Sequence, residues 1–140
     1  MTTRYVLQTT AELKNLSQIR DFVEVAALGL GFDPEGIHNL QLAVDEAVTN
    51  VMLHGYQGQG GPLELELERL ERRLIVRLRD EATPFDPNTV PAPDLTLPLA
   101  QRPIGGLGIH LMRQTMDEIE HRVTPTGGNE LTLIKRDPAK

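Results

Sequence analysis

The sequence contains no cysteine and no tryptophan, and aromatic residues make up only 4% of it. Without cysteine, disulfides, thiolate catalysis and cysteine-type zinc sites are excluded. No apolar run is long enough for a membrane-spanning helix, and no signal-peptide pattern occurs at the N-terminus. There is also no basic run that could follow a phosphate backbone, and the net charge is −6. We therefore expect a cytoplasmic protein that binds neither nucleic acid nor membrane.

The pattern of apolar residues predicts an α+β fold. A length of 140 residues with 39% apolar content fits a single domain over residues 1–140. Apolar residues at every second position predict strands, and apolar residues three and four positions apart predict helices. The expected strands are residues 4–9, 63–67, 74–80, 120–124 and 130–135, and the expected helices are residues 12–30, 34–55 and 105–119. This order predicts a two-layer α/β sandwich, with a mostly antiparallel mixed sheet and helices on one face.

The second predicted helix carries a polar sector that core packing does not require. Glu46, Asn50 and His54 recur at i, i+4 and i+8, which places them on one side of a helix. Their neighbours in that sector are Leu42 and Leu53. Because most binding sites are apolar hollows with few polar groups, this composition suggests the wall of a cleft. The alternative is a partly exposed helix whose Glu and Asn are only solvated.

The segment 82–104 shows no regular period and contains six of the ten prolines of the chain. Proline opposes both helix and sheet, so irregular structure is expected there. A long irregular segment inside a compact domain is often a functional lid. A tolerated surface insertion is the alternative, and composition alone does not separate the two.

Two further features on either side of this segment could bind a ligand. Asp80 ends a predicted strand, where a carboxylate can accept a hydrogen bond from an exocyclic amine such as that of adenine, or simply form a turn. Gly105, Gly106 and Gly108 open the last predicted helix, and bare backbone N–H groups at a helix start favour an anion. The glycine spacing fits neither a Walker A loop nor the dinucleotide fingerprint. Each feature alone is weak, so their order along the chain matters more.

That order resembles the GHKL, or Bergerat-fold, superfamily of nucleotide-binding proteins. Asp45-Glu46-Ala47-Val48-Thr49-Asn50, followed by His54 and Tyr56, is similar to the N-box of bacterial anti-sigma-factor serine/threonine kinases. The resemblance extends from the first strand to Lys135. Further matches are Pro84-Phe85-Asp86-Pro87, Gly105-Gly106-Leu107-Gly108-Ile109-His110-Leu111 and Met116-Asp117-Glu118.

The resemblance implies that these residues bind ATP and Mg²⁺. Glu46 would act as the general base, and Asn50 would bind the Mg²⁺ that bridges the ATP phosphates. Asp80 would recognise adenine, and the segment 82–104 would be the ATP lid. The other implied nucleotide contacts are Ala82, Phe85, Gly105, Gly106, Leu107, Gly108 and Asn129. The resemblance assigns no role to His54.

Two positions depart from the pattern of the family. Ala82 stands where the first glycine box usually has glycine, which could tighten the adenine pocket or slow nucleotide exchange. Gly128-Asn129 replaces the more usual Gly-Thr pair, and Asn129 retains the ability to hydrogen-bond a base or a water. The expected base and metal positions are unchanged.

The resemblance implies a protein-serine/threonine kinase of a partner-switching system. It would phosphorylate a STAS-type anti-anti-sigma protein and alternately hold a sigma factor or another target, and the family also implies a homodimer. An alternative is a non-catalytic or slowly hydrolysing ATP-binding module that regulates by sequestering a protein partner. The ATP-binding half of a histidine kinase is disfavoured, because 140 residues leave no room for a dimerising hairpin with a phosphoacceptor histidine.

Overall fold

The computed structural model describes residues 3–86 and 112–136 of the chain. Its strands and longer helices are β1 (Arg4–Thr10), α1 (Leu16–Gly29), α2 (Pro34–Asn50), β2 (Pro62–Leu70), β3 (Arg73–Asp80), β4 (Glu118–Val123) and β5 (Asn129–Arg136). A 3-10 turn, Leu13–Asn15, precedes α1, and residues 112–115 are helical. Most of the predicted lid and the predicted glycine-rich turn at residues 105–108 lie outside the described residues.

The five strands form one sheet in the order β1-β2-β3-β5-β4. β2 and β3 are neighbours and form an antiparallel hairpin, and the predicted α+β architecture with two layers is confirmed. Every pairing between the described strands is antiparallel, whereas the prediction allowed a mixed sheet. The pairing of β3 with β5 sets Asp80 directly opposite Asn129. This register brings two polar side chains together where β3 ends and β5 begins.

The core lies between the sheet and the two helices. The leucines of β2 alternate with glutamates, so one face of the strand is apolar and packs against α1 and α2. Fully buried side chains come from both layers: Ile19, Val23, Leu40, Val48, Leu65, Leu67, Leu74, Leu78 and Leu133. None of the helices in the described ranges is long and apolar enough to cross a membrane.

The opposite face of the sheet is covered by paired charges. Glu66 is only 3% exposed, and its carboxylate pairs with Arg4 at 2.8 Å and Arg79 at 3.1 Å. Glu130 pairs with Arg79 and Arg122, each at 2.7 Å. The hydrogen bond from Arg122, helped by Arg79, lowers the pKa of Glu130 although burial opposes it. Because the carboxylates have partners, this face is stable without a second apolar layer.

The ends of α2 follow the sequence signals. Asp33 caps the helix by accepting a hydrogen bond from the Gly36 N–H at 2.7 Å, and Pro34 occupies the first turn. After Asn50 the helix widens into a π turn, Val51–Gly55. The predicted helix over residues 34–55 therefore has the correct bounds, but its last five residues form a π turn and not an α-helix.

We predict that stability depends on the leucines of the buried layer and not on those of the surface. Leu40 is 0% exposed in the centre of α2, whereas Leu13 is 74% exposed. Leu40→Ala leaves a cavity and should lower the free energy of unfolding by about 2–5 kcal/mol. The matched change Leu13→Ala should alter it by less than about 0.5 kcal/mol. Urea unfolding measures both values, and equal losses would contradict the placement of the core.

Candidate functional site

A pocket lies where α2 meets the ends of β3 and β5. Its walls are mostly apolar and include Val51, Leu78, Met112 and Leu131. Five polar residues also line it: Asn50, Asp80, Thr83, His121 and Asn129. A few convergent polar groups in an apolar hollow are typical of a small-molecule site.

The pocket brings together five of the ten residues predicted to form the site. Asn50, Asp80, Ala82, Phe85 and Asn129 all line it. Those five come from three separate parts of the sequence.

Along the chain, Ala82 follows Asn50 by 32 residues, and Asn129 follows Ala82 by 47 residues. It is the antiparallel sheet, not closeness in sequence, that brings these residues to one pocket.

The other predicted site residues do not line this pocket. Glu46 lies on α2 one turn before Asn50 and is not part of the lining. The predicted contacts at residues 105–108 lie outside the described residues. His54 belongs to the π turn and is exposed, because a wider turn changes the direction of the side chains that follow.

Asp80 is buried at the end of β3, and the described residues engage only one of its two carboxylate oxygens. Its Oδ1 accepts hydrogen bonds from the Ala82 N–H and from the Asn129 side-chain amide, each at 2.9 Å. Its Oδ2 accepts none from any residue in the described ranges. Burial is the main cause that raises the pKa of Asp80, and the two hydrogen bonds oppose it. The free oxygen can therefore accept a hydrogen bond from a ligand in the pocket.

Asn129 is the centre of the hydrogen bonds around Asp80. Besides Asp80, its Nδ2 donates to the carbonyl oxygens of Ala82 at 3.2 Å and Thr83 at 3.3 Å. Its Oδ1 accepts from the Phe85 N–H at 2.9 Å and lies 2.6 Å from His121 Nε2. Both ends of the amide are thus engaged by described residues, and a contact of Asn129 with a base or a water stays a prediction.

Two glycines make room for this arrangement. A side chain at Gly128 would collide with the backbone carbonyl of Asp80, so only glycine lets β5 approach β3 this closely. A Cβ at Gly55 would come within 2.8 Å of the Ala82 methyl group. Ala82, the departure from the family pattern, therefore packs against a position that has no side chain.

Asn50 and Glu46 have properties that suit a metal ligand and a proton acceptor. Asn50 is 8% exposed, and its carboxamide makes no hydrogen bond to the residues described, so its oxygen is available to a hard cation such as Mg²⁺. Glu46 is half-buried, and desolvation, followed by repulsion from Asp45, raises its pKa. A carboxylate with a raised pKa is a better proton acceptor than an ordinary surface glutamate.

Tyr56 is a residue whose contribution the sequence did not indicate. Its hydroxyl donates to the Pro62 carbonyl and accepts from the Glu81 N–H, both at 2.7 Å. It therefore connects the end of the π turn to the start of β2 and to the residue after Asp80. The sequence contained no signal for this connection, because Tyr56 and Glu81 are 25 positions apart.

Comparison with known proteins identifies the family. The family model described as "Histidine kinase-like ATPase domain" matches residues 9–135. The chain belongs to this family.

The chain is similar to several bacterial proteins named serine-protein kinase RsbW. The chain is 27% identical over 118 residues to the serine-protein kinase RsbW of Bacillus cereus (strain AH820), covering 81% of this chain and 74% of that protein. The RsbW of Bacillus thuringiensis (strain Al Hakam) matches to the same extent. Among solved structures, the RsbU and RsbW domains of Rv1364c from Mycobacterium tuberculosis superpose with a TM-score of 0.66 at 16% identity. The match covers 96% of this chain but spans only 32% of that longer chain, and it supports the fold alone.

We predict that the Tyr56 hydroxyl stabilises this ATPase domain. Tyr56→Phe removes two hydrogen bonds and should lower the free energy of unfolding by about 1–2 kcal/mol. Tyr5→Phe is the matched control, because the Tyr5 hydroxyl has no hydrogen bond to the described residues, and it should cost less than about 0.5 kcal/mol. Urea unfolding compares the two, and an equal effect of both would contradict the bridging role of Tyr56.

We also predict that Glu46 makes stability depend on pH. The pKa of Glu46 is higher in the folded state than in the unfolded state. The wild type therefore loses stability as the pH rises through the folded-state pKa, whereas Glu46→Gln has no such loss. The melting temperature of Glu46→Gln minus that of the wild type should therefore increase from about pH 4 to about pH 7. A difference that stays constant or shrinks would contradict this. In Asp45→Asn, the pKa of Glu46 measured by NMR should fall but remain raised, because burial is the larger cause.

Proposed function

We propose that this chain is a protein-serine/threonine kinase that binds ATP and Mg²⁺ and acts in a partner-switching system. Residues 1–140 would form one cytoplasmic ATP-binding domain, with the segment 82–104 as the ATP lid. The observation that carries the proposal is the pocket in which Asp80 keeps one free carboxylate oxygen and Asn50 keeps a carboxamide without a partner among the described residues. The relatives named serine-protein kinase RsbW support it.

Each part of the pocket suits a part of the nucleotide. The free Oδ2 of Asp80 would accept a hydrogen bond from the adenine 6-amino group, and the apolar walls would cover the ring. Ala82 and Phe85 would border the base. Gly105, Gly106, Leu107 and Gly108 would contact the phosphates, as the family resemblance implies.

The reaction would be an in-line transfer of the γ-phosphoryl group of ATP. A serine or threonine hydroxyl of the partner attacks the γ-phosphorus, the bond to the β–γ bridging oxygen breaks, and ADP leaves. Glu46 would take the hydroxyl proton. When bound at Asn50, Mg²⁺ would neutralise part of the phosphate charge. Such a transfer needs mainly positioning and charge neutralisation, which agrees with a site that has few polar groups.

The phosphoryl acceptor would be a STAS-type anti-anti-sigma protein, and the chain would alternately hold a sigma factor, as a homodimer. These partners are inferred from the family and from the names of the relatives. Glu46 is half-buried, one turn before Asn50 and outside the pocket lining, where it would meet a hydroxyl that arrives with a protein partner.

We predict different effects for the two polar residues of α2. With γ-labelled ATP and a purified STAS-type partner, Glu46→Gln should lower phosphoryl transfer by about 10²-fold or more and leave ATP binding unchanged. Asn50→Ala should remove transfer and also the part of the ATP-induced thermal stabilisation that requires Mg²⁺. Thermal shifts with ATP, in the presence and absence of Mg²⁺, measure binding separately from transfer.

Two changes on the same helix serve as controls. Glu35→Gln and Asn39→Ala alter the same residue types in α2 outside the pocket, and both should leave binding and transfer unchanged. If the wild type shows no thermal shift with millimolar ATP, ATP binding is wrong. If it binds ATP and captures the partner without transfer, the protein is the non-catalytic module that sequesters its partner.

A further inference from the structure

The hydrogen bonds around Asp80 form a chain that ends on a residue without a role in the proposed reaction. His121 lies on β4 and lines the pocket, and its Nε2 is 2.6 Å from Asn129 Oδ1. Asn129 Nδ2 in turn donates to Asp80 Oδ1. Hydrogen bonds therefore link His121 on β4, Asn129 on β5 and Asp80 on β3 in series.

The contacts of Asn129 determine which way its amide points. Its Nδ2 faces three oxygen atoms, those of Asp80, Ala82 and Thr83. The reverse orientation would set a carbonyl oxygen against all three and would be repulsive. Because Oδ1 accepts from the Phe85 N–H, the nitrogen of His121 must be the donor in the remaining contact. His121 thus supports the orientation of the amide.

The fixed amide determines which oxygen of Asp80 is available. Oδ1 has two donors, and Oδ2 has none among the described residues. Asp80 lines the pocket, so Oδ2 is the oxygen that can accept a hydrogen bond from a ligand there. The hydrogen bond from Asn129 also opposes the effect of burial on the pKa of Asp80 and so favours the accepting carboxylate.

We propose that Asn129 and His121 are positioning residues that set the base selectivity of the pocket by holding Asp80 with a single free acceptor oxygen. This inference rests on the proposed binding of ATP. A fixed acceptor favours the 6-amino group of adenine and repels the 6-keto oxygen of hypoxanthine or guanine. Without the Asn129 amide, the carboxylate can turn or take up a proton and then donate to a 6-keto group.

The same amide also holds the turn that follows β3. It contacts the backbone at Ala82, Thr83 and Phe85, all within residues 82–85. Base recognition and the position of this turn therefore depend on one side chain. A change at Asn129 should affect both.

The test compares ATP with inosine triphosphate, in which a 6-keto group replaces the 6-amino group and N1 carries a proton. Equilibrium dialysis of the full chain with Mg²⁺ gives the Kd of each nucleotide. The wild type should prefer ATP. Asn129→Leu, which has a similar volume but no donors, should reduce this preference by about tenfold or more.

Changes at His121 keep the proposal testable if Asn129→Leu does not fold. His121 is only partly buried, so His121→Leu should fold and should reduce the preference for ATP. His121→Gln retains an N–H donor and should therefore keep most of the preference for ATP that His121→Leu loses. If His121 had only a structural role, His121→Leu would weaken the binding of both nucleotides by the same factor.

The possible failures can be separated. If the wild type binds neither nucleotide, the proposed function is wrong and the inference falls with it. If the wild type prefers ATP and both His121→Leu and Asn129→Leu lower the affinities for the two nucleotides by the same factor, the proposed function stands and the positioning role is wrong. The same conclusion follows if neither variant changes the preference.

Discussion

The arrangement of the site depends on the cross-strand pair of Asp80 and Asn129. Each is a buried polar side chain at the end of a strand, and neither is stable there without a hydrogen-bond partner. The antiparallel register of β3 and β5 places each opposite the other, and Gly128 allows the close approach. The pocket, the turn after β3 and the free oxygen of Asp80 all follow from this one contact.

The two faces of the sheet solve different physical problems. The face toward α1 and α2 is stabilised by burial of apolar surface. The other face keeps carboxylates such as Glu66 out of water, which is favourable only because arginines surround it. The polar end of the inner face, at Asp80, is the exception to this division. It is also where the pocket lies.

The elements and several site residues could be predicted from the sequence because their signals are local. Alternating leucines predict β2, and the spacing of Glu46 and Asn50 depends only on the helix period. The part played by Asn129 could not be predicted in this way. Its partners, from Asp80 to Phe85, lie 44 to 49 positions earlier, and only the strand register shows that they meet. His121 and Tyr56 were missed for the same reason.

The π turn after Asn50 illustrates how a local pattern can be correct in extent and still mislead. Glu46, Asn50 and His54 share one sector only if the helix keeps its period, and the hydrogen bond from the Tyr56 N–H to the Val51 carbonyl changes that period. The turn directs His54 to the surface but brings the Tyr56 hydroxyl to Pro62 and Glu81. One change of period thus accompanies an exposed His54, to which no role was assigned, and provides a connection next to Asp80.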